Sequence, residues 1–293
     1  MNVNASIKSP ALGIQRANAS ATIFLSSGAS LAIRAGTLIN GDAGAFTFPG
    51  DTEIAVPDLI PGEDYGVRLD EGRPFASLLG PENPIDAGCI GGFHFAPGGN
   101  ASARSGGDAT PAINPCSLWD IGFRPACPDP RGMKLVQVGG AHLFWDDIYW
   151  LGTEHERYGT SRCGATIATG ETLDRLNYHD AVEILAKYGK RLSTYDEARA
   201  SAYGVTERSS ADGHPKMTGL DAARTSATGS MQATGNVWGW ITDGDPDDPR
   251  PSIFGGSWLF GSLAGSRCAD LDVWPDVSGG GLGVRAACDH LAT

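Results

Sequence analysis

The chain has 293 residues, a net charge of −12 and a pI near 4.8, so it lacks the basic footprint that holds a nucleic-acid backbone. No apolar run approaches the roughly 20 residues a bilayer-spanning helix needs, which argues against membrane insertion. Hydrophobic residues at 41% with charged residues at 19% describe a globular chain rather than a disordered one, and the length suggests two domains.

Forty-one glycines and 18 prolines favour short strands and tight turns over long helices. The start, MNVNASIKSPALGIQR, has no apolar segment of signal-peptide type, which predicts synthesis in a cytosol and release by a route such as lysis. Up to about residue 90, short apolar runs alternate with polar residues: Ala21–Leu25, Leu31–Arg34, Thr37–Asn40, Ala45–Phe48, Glu53–Val56 and Tyr65–Leu69, with a turn at Pro61-Gly62. This pattern predicts antiparallel β structure, a sandwich. Residues 97–115, rich in Gly, Pro, Ser and Ala, read as a flexible linker or as an ordered strap against a neighbouring chain.

From Ser117 the character changes. Ala141–Leu151 reads as an aromatic strand interrupted by Asp146-Asp147. Two helices follow. Tyr178–Tyr188 places Val182, Leu185 and Ala186 on one face and stops at Gly189. The second is capped by Thr194, with Glu197 three residues on to complete a capping box, and stops at Gly204. Residues 205–235 look irregular, and strands return at Asn236–Ile241, Ile253–Leu259 and Val284–Ala287. The sum is an α+β fold with domains at 1–118 and 119–293.

The six cysteines (89, 116, 127, 163, 268, 288) contain no CxxC and are too few for a disulfide scaffold. Buried free thiols are the plain expectation; Cys116–Cys127 and Cys268–Cys288 are the pairs to check for disulfides.

Residues 252–291 divide into two kinds of position. Gly255, Gly256, Trp258, Gly265, Ser266, Arg267, Trp274, Pro275, Gly283, Arg285, Asp289 and His290 form a frame; the residues between them look chemically arbitrary. Trp258 and Trp274 read as buried anchors, and Arg267 and Arg285 as residues that pin loops through carbonyls or carboxylates such as Asp289. A strand period of two would turn Ser257 and Leu259 outward.

GGFHFAPGGNASARSGGDATPAINPCSLWDIGFRPACPDPRGM (91–133) and GGSW…AGSR…WP…GVRAACDHL at the end resemble the major tropism determinant family of phage receptor-binding proteins. The resemblance covers most of residues 15–293. It implies an intermediate β-sandwich, a C-type-lectin-fold domain, and a homotrimer on the distal phage tail fibre of the virion that grips a host cell-surface receptor, expected to be a protein. It also implies synthesis in the host cytoplasm. The family member has a further N-terminal β-prism domain, for which this chain is too short at its start. In that family a diversity-generating retroelement can rewrite asparagine codons, a chemistry that cannot yield Trp, Lys, Glu, Gln or Met. The resemblance places variable, receptor-binding positions at Ser257, Leu259, Gly261, Leu263, Asp270, Asp272, Val273, Asp276, Ser278, Gly280 and Gly281, none of which is one of those five types.

Other readings compete. GKRLSTYDEA (189–198), GNVWGW (235–240) and FGGSW (254–258) resemble the formylglycine-generating enzyme family, which shares the lectin-like fold. Those enzymes need two redox-active cysteines soon after GGS, and residues 259–265 hold none, so the chain is expected not to be an enzyme. The Glu-Pro-Asn or Gln-Pro-Asp tripeptides of calcium-dependent sugar lectins are absent. The acidic loop Asp243, Asp245, Asp247, Asp248 could offer oxygens to a structural calcium but reads as a solvated loop, so no cofactor is expected. Asp289-His290 has no GxSxG elbow beside it and reads as structural; Asp146, Asp147 and His142 read as satisfied polar groups at the core edge. A structural tail protein, whose lectin-fold domain only packs on other virion proteins, is the alternative of a different class.

Overall fold

A computed structural model of the chain describes residues 12–41, 44–80, 83–242 and 251–291. The architecture is mostly β, with few and short helices. The predicted acidic loop at 243–248 lies outside the described residues.

The first third is antiparallel, as its alternation predicts. Thr37–Gly41 pairs with Gly13–Gln15 on one side and Gly44–Phe48 on the other. Ser30–Ile33 pairs with Phe24–Ser27 and Thr52–Glu53. A larger sheet takes Glu63–Asp70 between Arg73–Leu78 and Gly91–Ala96. The inward residues Phe24, Ile33, Ile39, Tyr65, Val67 and Phe93 share one core. Gly91–Ala96 is buried at every position, which removes the alternation that marks a half-exposed strand. Its glycines are steric necessities: a Cβ on Gly91 would sit 2.3 Å from the Trp119 carbonyl oxygen. Trp119–Asp120 pairs with this same strand, so the ladder continues past residue 118.

The stretch 97–115 is an ordered strap across its own chain. The Ala101 N–H donates to the Ser226 carbonyl at 3.1 Å, Gly106 to Gly204 at 2.9 Å and Gly107 to Ala222 at 2.8 Å. Asn114 adds a side-chain bond to the Thr228 carbonyl at 3.0 Å. Next to it, His94 bridges the two halves of the molecule, with Nδ1 3.1 Å from Asp64 and Nε2 2.9 Å from the Tyr149 hydroxyl.

Two four-stranded sheets build the second half. In one, the order is Met133–Val138, His142–Asp147, Ala286–Asp289, Arg191–Leu192, which puts the last strand of the chain in the interior of the sheet. In the other, Pro251–Phe254 lies between Ala269–Asp270 and Trp238–Thr242, and Leu282–Gly283 joins Trp238–Thr242 in parallel. The predicted aromatic strand thus ends at Asp147. Its two aspartates are not at the core edge but wholly buried, each beside a buried lysine: Lys134 at 2.9 Å from Asp146, Lys190 at 2.8 Å from Asp147. Burial is the largest influence on Lys190 and works against its charge, but Asp147, Cys127 and Asp129 together hold the ammonium above the usual lysine range. His142 pairs with Glu197 at 2.9 Å.

Both predicted helices form, over Tyr178–Ala186 and Tyr195–Ser201, and a single turn at His155–Tyr158 joins them. The Thr194–Glu197 capping box is present: Thr194 Oγ1 accepts from the Glu197 N–H at 3.3 Å and Glu197 returns the bond at 2.9 Å. Asn177 and Asp180 cap the first helix in the same way. The buried face of that helix is Tyr178, Ala181 and Leu185; Val182 and Ala186 face out, one position round from the predicted stripe.

Candidate functional site

The loops leaving the second sheet are held by their backbones. After Phe254 the chain turns through Gly255 and Gly256, at φ +97° and +79°, where a side chain would be strained. A Cβ on Gly256 would also stand 2.9 Å from Ala264 Cβ. The Gly255 carbonyl accepts from Gly235 at 3.0 Å and from Gly265 at 3.1 Å, while its N–H donates to Cys268 at 2.8 Å. Ser257 does not continue the strand. It caps a pair of 3-10 turns over Trp258–Leu263 that kink at Gly261, and its Oγ accepts from the Leu259 N–H at 3.4 Å.

Trp258 is half-buried. Its ring stacks on His214 with centroids 3.9 Å apart, and His214 Nε2 lies 3.1 Å from the Gly280 carbonyl oxygen, so one histidine ties the two loops together. Phe260 packs edge-on against Trp238 at 4.8 Å. On the second loop, Val273 packs into the cluster that contains Trp238 and Leu282, and the Gly281 carbonyl accepts from the Trp238 N–H at 2.8 Å. The Ser278 Oγ accepts from Leu176 at 2.9 Å and the Pro275 carbonyl from Tyr178 at 3.1 Å. Glu207 accepts from the Ser266 N–H at 3.0 Å. Arg285 donates to the carbonyls of Asp147, Ile148 and Met231, and its guanidinium covers the Trp150 ring at 4.6 Å. Its role as a pin is as expected, but its acceptors are carbonyls; Asp289 is engaged by Arg191 instead, at 2.6 Å. Arg267 is exposed.

On this frame the eleven singled-out positions separate. Leu259 and Leu263 are 76% and 73% exposed, and Gly261, Asp270, Asp272, Asp276 and Ser278 are exposed as well. Val273 and Gly281 are half-buried. Ser257, 3% exposed, and Gly280 are buried, so an outward orientation is ruled out for both. Ser257 turns inward because the capping role needs its hydroxyl over the first turn. Trp274 is the larger correction: it is 81% exposed, not a buried anchor. It joins Leu271 and Val277, also exposed and also missed. The available signal was local. Trp274 lies between Asp272 and Asp276 in a segment without apolar periodicity, so nothing specified an inward face.

All six cysteines are free thiols, and Cys127 lies against Cys288 rather than Cys116. Burial pushes the Cys268 thiol up, away from the reactive thiolate.

The family profile described as "Mtd second domain" matches residues 21–120. The tail fiber receptor-binding protein of Bordetella phage BPP-1 is 36% identical, with 94% of this chain and 84% of that protein covered. Among solved structures, the Major Tropism Determinant I1 variant superposes with a TM-score of 0.85 at 35% identity, over 95% of this chain and 86% of that one. The U1 variant gives 0.86 at 34% identity, over 96% and 86%. Identity at this level over nearly the whole chain, together with the same fold, means that the chain belongs to the major tropism determinant family.

Proposed function

We propose that the chain is the receptor-binding protein of a phage tail fibre and that it holds a host-surface receptor non-covalently through the loops of 255–281. The observation that carries this reading is the pairing of a pinned backbone with an exposed, mixed set of side chains: Leu259, Leu263, Asp270, Asp272 and Asp276, extended by Leu271, Trp274 and Val277. Exposed apolar residues in one loop cluster mark a contact surface. Apolar anchors supply affinity and carboxylates select the partner. A fixed backbone keeps the ordering cost of binding low. Ser257 and Gly280 then serve as frame.

In this reading, an intermediate β-sandwich with its strap, which the ladder carries through Asp120 rather than ending at 118, is followed by a C-type-lectin-fold domain related to the formylglycine-generating enzymes. The protein works as a homotrimer on the virion after synthesis in the host cytoplasm, and a retroelement supplies diversity at the exposed positions. Three copies per trimer multiply weak contacts by avidity. The receptor is a protein, which suits a face combining tryptophan, leucine and aspartate. The chain is not an enzyme: 259–265 carries no thiol, and the nearest, Cys268, is held protonated by burial.

The test is a triple variant, Leu259→Ala with Asp272→Ala and Asp276→Ala. Virions carrying it should assemble and keep their fibres but lose adsorption to host cells. Wild-type adsorption would overturn the reading, and failed assembly would favour a structural tail protein.

A further inference from the structure

The segment 124–126 runs antiparallel to the end of the chain. The Ala126 N–H donates to the Asp289 carbonyl at 2.9 Å, the Leu291 N–H donates to the Arg124 carbonyl at 2.9 Å, and Pro125 stands opposite His290 between them. Pro125 and His290 are thus a pair that exchanges no hydrogen bond with each other. Cys127 and Cys288 each adjoin the bonded pair Ala126–Asp289, and the two thiols lie in hydrogen-bond contact with each other. Both side chains share one buried cluster with Met133 and Trp145. The Cys127 thiol, opposed by burial and helped by Lys190, draws Cys288 down to about 7.

We propose that Cys127 and Cys288 form a disulfide when the protein meets an oxidising medium containing a small-molecule disulfide. The Cys288 thiolate attacks one sulfur of the small disulfide; that sulfur stays bound in a mixed disulfide on Cys288, the small S–S bond breaks, and the other sulfur leaves as a thiolate. The Cys127 thiol then loses its proton and attacks Cys288 Sγ, expelling the second small thiolate. Two protein thiols are oxidised, one small disulfide is reduced to two thiols, and the two protons pass to the departing thiolates. The cross-link ties the entry of the second half to its last strand and encloses a loop of about 160 residues, the kind that restricts an unfolded chain most in the chain-entropy description. It acts behind the 255–281 loops, and its existence does not depend on what they bind.

The experiment incubates the folded full-length chain with hydroxyethyl disulfide, then alkylates under denaturing conditions and maps the peptides. The expected result is loss of two of the six free thiols, a Cys127–Cys288 linked peptide, and a rise in Tm on the order of 10 °C. The rate should rise with pH through about 7, where Cys288 ionises. Cys127→Ser should stall at the mixed disulfide on Cys288 and show no such rise in Tm. Six alkylatable thiols after exposure, a link between another pair, or a mixed disulfide that persists on wild-type Cys288 would each overturn the proposal, and all three are read on the unmutated chain.

Discussion

Asp146 and Asp147 end an interior strand, wholly buried, each against its own lysine; Asp270 at a strand end and Asp272 and Asp276 on the loop after it sit exposed, with no cation in ion-pair range among the described residues. The tryptophans divide likewise, with Trp145 and Trp240 enclosed and Trp274 almost bare. One region spends its chemistry on holding shape and leaves no group to vary. The other takes its shape from backbone bonds and buried neighbours, so outward side chains such as Leu259, Leu263 and Trp274 are free of structural duty, while Asp270 and Ser278 accept one backbone bond each. Under the proposed function stability and recognition are separable, and substitutions should sort accordingly.

The sharpest way to break that contrast is Lys190→Met. It strands Asp147 without its cation, and breaking a buried pair from one side costs about 3–5 kcal/mol; urea unfolding checks it. Trp258→Ala removes the His214 stack between the two loops and should cost about 2–3 kcal/mol by the same measurement, less than a fully buried tryptophan. It should also impair adsorption, since the frame loosens. Thr194→Ala deletes a helix cap and should cost about 1 kcal/mol with adsorption unchanged.

Glu197 gives a pH prediction. Burial works against its charge, but bonds from Arg191 and His142 hold its carboxyl below the usual range. Its contribution is therefore complete above the unfolded glutamate pKa of about 4.3 and is lost as pH falls through the lower folded value. Denaturation midpoints followed down from pH 5 should fall more steeply for the wild type than for Glu197→Gln. At the far end, Trp274→Ala should leave stability within about 0.5 kcal/mol, as exposed substitutions do, yet reduce binding to host cells. A Tm drop of many degrees for that variant would erase the distinction between the two regions.

Much of the structural region was legible because its signals are local. Thr194 and Glu197 at capping-box spacing, and the glycines at 255 and 256, each dictate backbone geometry within a few residues. Period-two alternation revealed the early strands for the same reason. Gly91–Ala96 escaped because both of its faces are covered. Lys134 and Lys190 could not be recognised as interior charges, because their partners lie 12 and 43 residues away. In the 255–281 loops, Leu263 was found through family resemblance alone, and Leu259 through the resemblance and a strand period that the 3-10 turns there do not follow. Ser257 was misread because a strand was extended past Gly255, where the chain in fact turns; Trp274 was misread because a tryptophan was assigned to the interior by residue type, with no local pattern to give it a face.

The position of Ala286–Asp289 inside its sheet has a further effect. That sheet cannot close until residues 286–289 have left the ribosome, because this interior strand comes after its three partners in the sequence. A premature stop or a frameshift anywhere in 252–285 removes that strand and leaves His142–Asp147 and Arg191–Leu192 without their common neighbour. Truncated or frame-shifted products are thereby denied a folded body on which to display the 255–281 loops, and the fold itself proofreads the reading frame.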